Sequence, residues 1–208
     1  MNPIHTKNRT IGLLGGSFNP AHAGHLHITL HALHKLGFDE VWWLVSPQNP
    51  LKSVAGMASY AQRLQSARRV AASHPRIRVL DIEARFGTRY SYETIALLKS
   101  RFPGAHFVWM MGADNLAQFH RWRRWKRILA EIPVVVFDRA PYSHTSLRSK
   151  TMLRGRKFLL KNTDIGGNFK APCLVFEHLK RDPLSSTMLR KKLGLAAFLG
   201  HNEGAGYG

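Results

Sequence analysis

Strand-length apolar runs alternate along the chain with longer segments of mixed polarity. The runs lie at residues 11–14, 41–45, 76–81, 106–111 and 134–137, each short enough for one strand. Between them, residues 24–36, 57–73, 92–101 and 121–131 carry helix-like patterns bounded by Gly or Pro, which act as stop signals. This alternation predicts βαβ units and an α/β fold with a doubly wound, mostly parallel open sheet. Such sheets bind ligands at the carboxyl ends of their strands, where loops lead into helix N-termini. The chemistry is expected there.

From residue 140 to 171 the composition shifts to Ser, Thr, Lys, Arg and Gly with no sustained period. A basic surface excursion is predicted, followed by a last short strand at 173–176 and a helix at 191–198. The expected organisation is an N-terminal extension over 1–10, one domain over 11–199 and a Gly-rich flexible tail over 200–208.

Composition narrows the class. With 208 residues, 44% of them hydrophobic, the chain can bury a sizeable core, hiding about 70% of its unfolded surface. No stretch approaches the roughly 20 apolar residues of a spanning helix, and no apolar core of signal-peptide length follows the N-terminus. One cysteine, Cys173, excludes an internal disulfide or a thiolate cluster within one chain and suits a reducing compartment. A soluble, cytoplasmic protein is expected. The 31 Lys and Arg against 12 Asp and Glu leave a formal charge of +19. That charge attracts polyanions or anionic small molecules such as nucleotides. A nucleic-acid-binding protein is therefore the rival from a different class.

Three strings of residues carry candidate chemistry. The first, Gly15-Gly16-Ser17-Phe18-Asn19-Pro20-Ala21-His22-Ala23-Gly24-His25, follows the first strand and opens a helix. Glycines allow close backbone approach, and the free N–H groups of a helix start favour phosphate. The plainer reading is a strand-to-helix turn. The spacing matches neither a dinucleotide fingerprint nor a P-loop. His27, His31 and His34 follow; their spacing could pair them as metal ligands, but no carboxylate joins them in the His-Glu-x-x-His manner, and surface helix histidines are the simpler account.

The second string is Leu184-Ser185-Ser186-Thr187-Met188-Leu189-Arg190, after Pro183. Its hydroxyls read as a helix N-cap with Arg190 on a solvated face. Together with the helix amides they could equally hold a polyphosphate. The third runs from Trp109 through Gly112, Ala113 and Asp114 to Trp122. Alone, a Gly-x-Asp after a strand is a weak signal. Arg121, Arg123, Arg124, Lys126 and Arg127 surround its end, reading as a solvated helix face near a phosphate-binding cleft.

Taken together, these strings resemble the HIGH-type nucleotidyltransferases. His22, Ala23, Gly24 and His25 match the His-x-Gly-His signature, and Ser185 to Arg190 matches the Ile-Ser-Ser-Thr-x-x-Arg pattern. Gly112 and Asp114 with Trp122 look like the bacterial nicotinate-mononucleotide adenylyltransferases, in which that tryptophan stacks on the pyridine ring. Asn49-Pro50-Leu51-Lys52 resembles the family's Pro-Pro-His-Lys, with Leu51 in place of the histidine. Tyr90-Ser91-Tyr92-Glu93-Thr94 resembles its Tyr-Thr-x-Asp-Thr, and Ser17 and Asn19 stand where many members have Thr and Asp.

The resemblance implies a Rossmann-like nucleotidyltransferase fold and transfer of an adenylyl group from ATP to nicotinic acid mononucleotide in NAD biosynthesis. It assigns His22, His25, Lys52 and Arg190 to catalysis. ATP would meet Gly15, Gly16, Ser17, Phe18, Asn19, Gly112, Asp114, Ser185, Ser186 and Thr187. The mononucleotide would meet Tyr90, Ser91, Thr94 and Trp122. Mg2+ would ride on the ATP phosphates, with no protein metal site, because the motifs offer few carboxylates. The partners implied are the two nucleotides, with no membrane, no dedicated nucleic acid, and a monomer or homodimer. Adenylyl transfer to nicotinamide mononucleotide or to a pantetheine phosphate is the nearest alternative.

Overall fold

The computed structural model describes residues 6–48, 56–138, 151, 159–160 and 170–179. The chain runs β1 (Thr10–Gly16), α1 (Ala23–Lys35), β2 (Glu40–Val45), α2 (Tyr60–Ala71), β3 (Ile77–Leu80), α3 (Ile82–Phe86) and α4 (Ser91–Arg101). It continues through β4 (His106–Gly112), α5 (Ala113–Gln118), a 3-10 turn (Phe119–Arg121), α6 (Trp125–Glu131), β5 (Val134–Asp138), β6 (Leu159–Leu160) and β7 (Leu174–His178). The seven strands form one sheet in the order β3-β2-β1-β4-β5-β7-β6, and every strand pair is parallel. The predicted α/β class and doubly wound sheet are present.

The strands read as unbroken apolar runs because both faces of the sheet are covered. On β2, Val41, Trp43 and Val45 pack into one core with Ile28, Ala32 and Leu33 of α1 and Ala67 of α2. The intervening Trp42 and Leu44 point to the opposite core, with Ile82 of α3, Ile95 and Leu98 of α4 and Ile128 of α6. β4 divides likewise, Val108 and Met110 on one side and Phe107, Trp109 and Met111 on the other.

β1 lies inside the sheet, between β2 and β4. From it the chain steps outward through β2 and β3, then returns to place β4 on β1's other flank. This reversal is a topological switch point, which opens a crevice at the carboxyl ends of β1 and β4. Among the described residues no helix is long and apolar enough to cross a membrane.

Several expectations shift. The helix predicted over 121–131 begins only at Trp125: Trp122 is extended at φ −73°, ψ 138°, and Arg124 lies in the left-handed region at φ 53°. The reason is packing. Trp122 and Trp125 both seat edge-on against Phe119, with ring centres 5.0 and 6.2 Å away. Burial of those indoles overrides the helical pattern. The short α3 and α5 were not predicted, and β6 falls inside the stretch read as an excursion without a strand. Of the predicted N-terminal extension, residues 6–9 are described; the Asn8 N–H donates to the Gly104 carbonyl at 2.7 Å, and Thr10 already belongs to β1. Residues 1–5, the tail over 200–208 and the predicted helix at 191–198 lie outside the described residues.

Candidate active site

β1 ends in Gly15 and Gly16, and the close approach of its neighbours accounts for the first of these. A Cβ on Gly15 would stand 2.8 Å from the Trp109 ring of β4. The turn that follows puts Phe18 at φ 46°, a left-handed conformation that costs a bulky residue energy. Its burial supplies the compensation: Phe18 is 1% exposed and stacks on Trp43 at 5.1 Å and beside His25 at 4.7 Å. Asn19 is also buried, accepting from the Ala58 N–H at 3.1 Å and donating to the Gly56 carbonyl at 3.3 Å. Phe18 and Asn19 thus brace the turn.

His22 caps α1. Its Nδ1 accepts from the Gly24 N–H at 3.0 Å, while the His22 N–H donates to His25 Nδ1 at 3.2 Å. The rings lie 4.0 Å apart. An N–H aimed at each Nδ1 leaves the proton of the neutral ring on Nε2. The first turn of α1 holds no acidic residue, so nothing there opposes an anion.

A cavity of about 410 Å3 opens at the switch point. Its wall gathers Gly15, Gly16 and Ser17 from the β1 turn with Tyr90 and Ser91 at the start of α4 and with Trp122. Six sequence-predicted residues, from three separate motifs, therefore share one space. Trp122 is fixed edge-on to Trp109 at 6.0 Å. The α4 start is held by Glu93, whose Oε2 accepts from the Arg89 and Tyr90 N–H groups at 3.0 and 3.2 Å.

Other predicted residues stand elsewhere. Thr94 is fully buried, its hydroxyl donating to Glu83 Oε1 at 3.3 Å and paired with Thr88 at 3.0 Å. It supports the wall without lining it. Gly112 ends β4 and caps α5; Asp114 is exposed on α5, and its neighbour Asn115 lines the cavity instead. His22 and His25 border the same turn but are outside the cavity wall. Lys52, Ser185, Ser186, Thr187 and Arg190 lie outside the described residues. The histidine series separates: His31 Nε2 meets Glu177 Oε2 at 3.0 Å and His34 Nδ1 lies 3.4 Å from Arg76. Among the described residues no three His, Cys, Asp or Glu side chains converge for a metal.

Sequence reasoning missed several groups. Arg121 and Arg123, read as part of a solvated face, line the cavity with Arg89. Arg123 sits 4.9 Å from the Tyr90 ring centre. Glu83 of α3 also lines the cavity yet is only 8% exposed. Burial raises its pKa above the ordinary value of 4.5, and hydrogen bonds from Ser46 and Thr94 offset part of that rise. Arg63 of α2, 2% exposed, donates to the carbonyls of Ser17 and Ser46 at 2.7 Å, Pro47 at 2.6 Å and Ala58 at 3.1 Å. One buried guanidinium thus ties together the loops after β1 and β2.

The family model described as cytidylyltransferase-like matches residues 13–192. The probable nicotinate-nucleotide adenylyltransferase of Parvibaculum lavamentivorans is 49% identical over 191 residues, 91% of this chain and 94% of that protein. The chain belongs to the nicotinate-nucleotide adenylyltransferase family. A member named in the same words from Mesorhizobium japonicum is 43% identical over 194 residues, 91% of this chain and 97% of its own length. In fold, the chain is similar to Plasmodium falciparum nicotinic acid mononucleotide adenylyltransferase complexed with NaAD, with a TM-score of 0.68 at 16% identity, covering 89% of this chain and 84% of that one. For this family member, the cavity at the switch point is the candidate active site.

Proposed function

We propose that the chain transfers the adenylyl group of ATP to the 5′-phosphate of nicotinic acid mononucleotide. A phosphate oxygen of the mononucleotide attacks the α-phosphorus, the bond to the bridging oxygen of the β-phosphate breaks, and pyrophosphate leaves with the electron pair. The products are nicotinic acid adenine dinucleotide and pyrophosphate. The observation that carries this reading is the shared cavity, which joins the glycine turn of β1 to Tyr90, Ser91 and Trp122. Relatives about half identical over nearly their whole length bear the matching name.

The nucleophile arrives ionised, so the protein contributes positioning and charge stabilisation rather than proton transfer. In this reading the Nε2–H groups of His22 and His25 face the ATP phosphates, while Gly15, Gly16 and Ser17 let the chain approach the reacting phosphates. Lys52, Ser185, Ser186, Thr187 and Arg190 complete the triphosphate site, and Gly112 and Asp114 border the adenosine. Tyr90, Ser91 and Trp122 receive the pyridine ring, with Arg89, Arg121 and Arg123 supplying positive charge beside its carboxylate. Among the described residues the sole carboxylate in the cavity wall is Glu83, too few for a protein cage; Mg2+ enters as part of the ATP complex. The reading implies a cytoplasmic enzyme, monomeric or homodimeric, with no dedicated nucleic-acid partner.

Pyrophosphate release with ATP and Mg2+ tests it, with nicotinic acid mononucleotide, nicotinamide mononucleotide and phosphopantetheine compared as acceptors. Highest turnover with the nicotinate form is expected. No release with any acceptor would return the weight to polyanion binding.

A further inference from the structure

Glu83 is a carboxylate in the wall of a cavity whose other charged lining residues, among the described residues, are Arg89, Arg121 and Arg123. It is buried on α3 and its Oε1 accepts from Thr94 of α4 at 3.3 Å. Its second bond comes from Ser46, directly after β2, whose N–H donates to the Gly16 carbonyl at 2.9 Å. Glu83 is therefore tied at one end to the glycine turn of β1 and at the other to the α4 start that carries Tyr90 and Ser91. An ionised carboxylate offers about four acceptor sites and no donor; two bonds leave capacity for a ligand.

The reading above places an anion in this cavity, and repulsion alone would make Glu83 a liability. The donor inventory of the ligand resolves the conflict. With its phosphate and its pyridine carboxylate ionised, nicotinic acid mononucleotide has only two hydrogen-bond donors, the 2′- and 3′-hydroxyls of the ribose. The ribose also links the pyridine to the phosphate, as Glu83 links the α4 start to the glycine turn.

We propose that Glu83 binds the ribose of the acceptor mononucleotide, its carboxylate accepting from the 2′- or 3′-hydroxyl while Thr94 and Ser46 hold it in place. This rests on the proposed function. Glu83 then selects for ribonucleotide acceptors and sets the position of the 5′-phosphate relative to the β1 turn.

The test compares nicotinic acid mononucleotide with its 2′,3′-dideoxy analogue in wild type, Glu83→Ala and Glu83→Gln, by kcat/KM for pyrophosphate release. A hydrogen bond to a charged group is worth about 10- to 100-fold. Wild type is expected to lose that factor on the dideoxy acceptor. Glu83→Ala is expected to lose it on the ribose acceptor and to treat the two alike. Should Glu83→Ala fail to fold, Glu83→Gln serves: it keeps an oxygen for Thr94, and its discrimination is expected to fall below that of wild type. Variants that keep the wild-type ratio, or that lose equally on both acceptors, overturn the ribose contact and leave Glu83 a brace. So does a wild type indifferent to the hydroxyls, or a ratio that changes with 2′-deoxy-ATP in place of the acceptor analogue. Failure of the activity itself would show separately, as a wild type without turnover on nicotinic acid mononucleotide.

Discussion

His22 and His25 cap the same helix reciprocally: the ring of each accepts a backbone N–H through Nδ1, at 3.0 and 3.2 Å, with the ring centres 4.0 Å apart. The helix cap uses Nδ1 of each ring, and the proposed chemistry uses Nε2. His25→Asn keeps an acceptor near the Nδ1 position and removes Nε2. It is expected to melt above His25→Ala, although the ring's packing on Phe18 is lost, while turnover falls about 10²-fold, the scale of one lost charge-stabilising donor. His25→Ala should lose a similar turnover factor and also about 1 kcal/mol of stability. Thermal melts and steady-state kinetics on both variants check this; normal turnover in His25→Asn would remove Nε2 from the reaction.

Arg123 lines the cavity 4.9 Å from the Tyr90 ring centre. A cation there favours a pyridine carboxylate over the neutral amide. Arg123 is exposed, so screening keeps the effect modest. Arg123→Ala is expected to lower the preference for nicotinic acid mononucleotide over nicotinamide mononucleotide by about 3- to 10-fold. The wild-type preference should itself shrink with added salt. Kinetics on both acceptors at two ionic strengths measure this, and an unchanged ratio would leave the preference to backbone groups.

Arg63 satisfies four loop carbonyls from a buried position. Arg63→Met leaves those acceptors without their donor and is expected to cost about 3 kcal/mol or more. Arg63→Lys keeps the charge, but a single ammonium cannot reproduce the fork, so roughly half the loss should remain. Urea unfolding reads both. KM for ATP should rise in parallel, because Ser17 and Ser46 follow β1 and β2 at the cavity.

Two buried carboxylates give opposite dependences on pH. For Glu40, burial pushes the pKa up, but hydrogen bonds from Arg78 and Trp42 and the charges of Arg78 and Arg9 outweigh it, leaving it below the ordinary 4.5. A depressed folded pKa contributes stability that is present above 4.5 and lost as pH falls through the folded value. Glu83 is raised by burial. Its sign is reversed: stability is highest below 4.5 and is lost as pH rises through the folded value. Glu40→Gln should therefore lower the melting temperature at pH 7, and Glu83→Gln should raise it by a few degrees. Both differences are expected to fade in acid, as melts at pH 7 and about pH 4 would show.

The sequence by itself determined the α/β class and the parallel sheet, and it pointed to the strand ends where the candidate site lies. Strands buried on both faces must be apolar throughout, so 41–45 and 134–137 stood out against the amphipathic helices between them. Gly15 to Ser17 were legible because a strand-to-helix turn demands particular residues within a few positions, and Tyr90 and Ser91 only through the resemblance of their string to the family's. Trp122 was legible through its resemblance alone. The tertiary structure decided the rest through contacts between residues remote in sequence. Arg63 meets Ser17 across 46 positions, and Glu83 meets Thr94 across 11 from a five-residue helix with no periodicity to betray it. Packing of Trp122 and Trp125 on Phe119 broke the helix predicted from 121 onward. Local pattern reports which residues are buried, whereas the choice of partner depends on which strand ends the sheet order brings together.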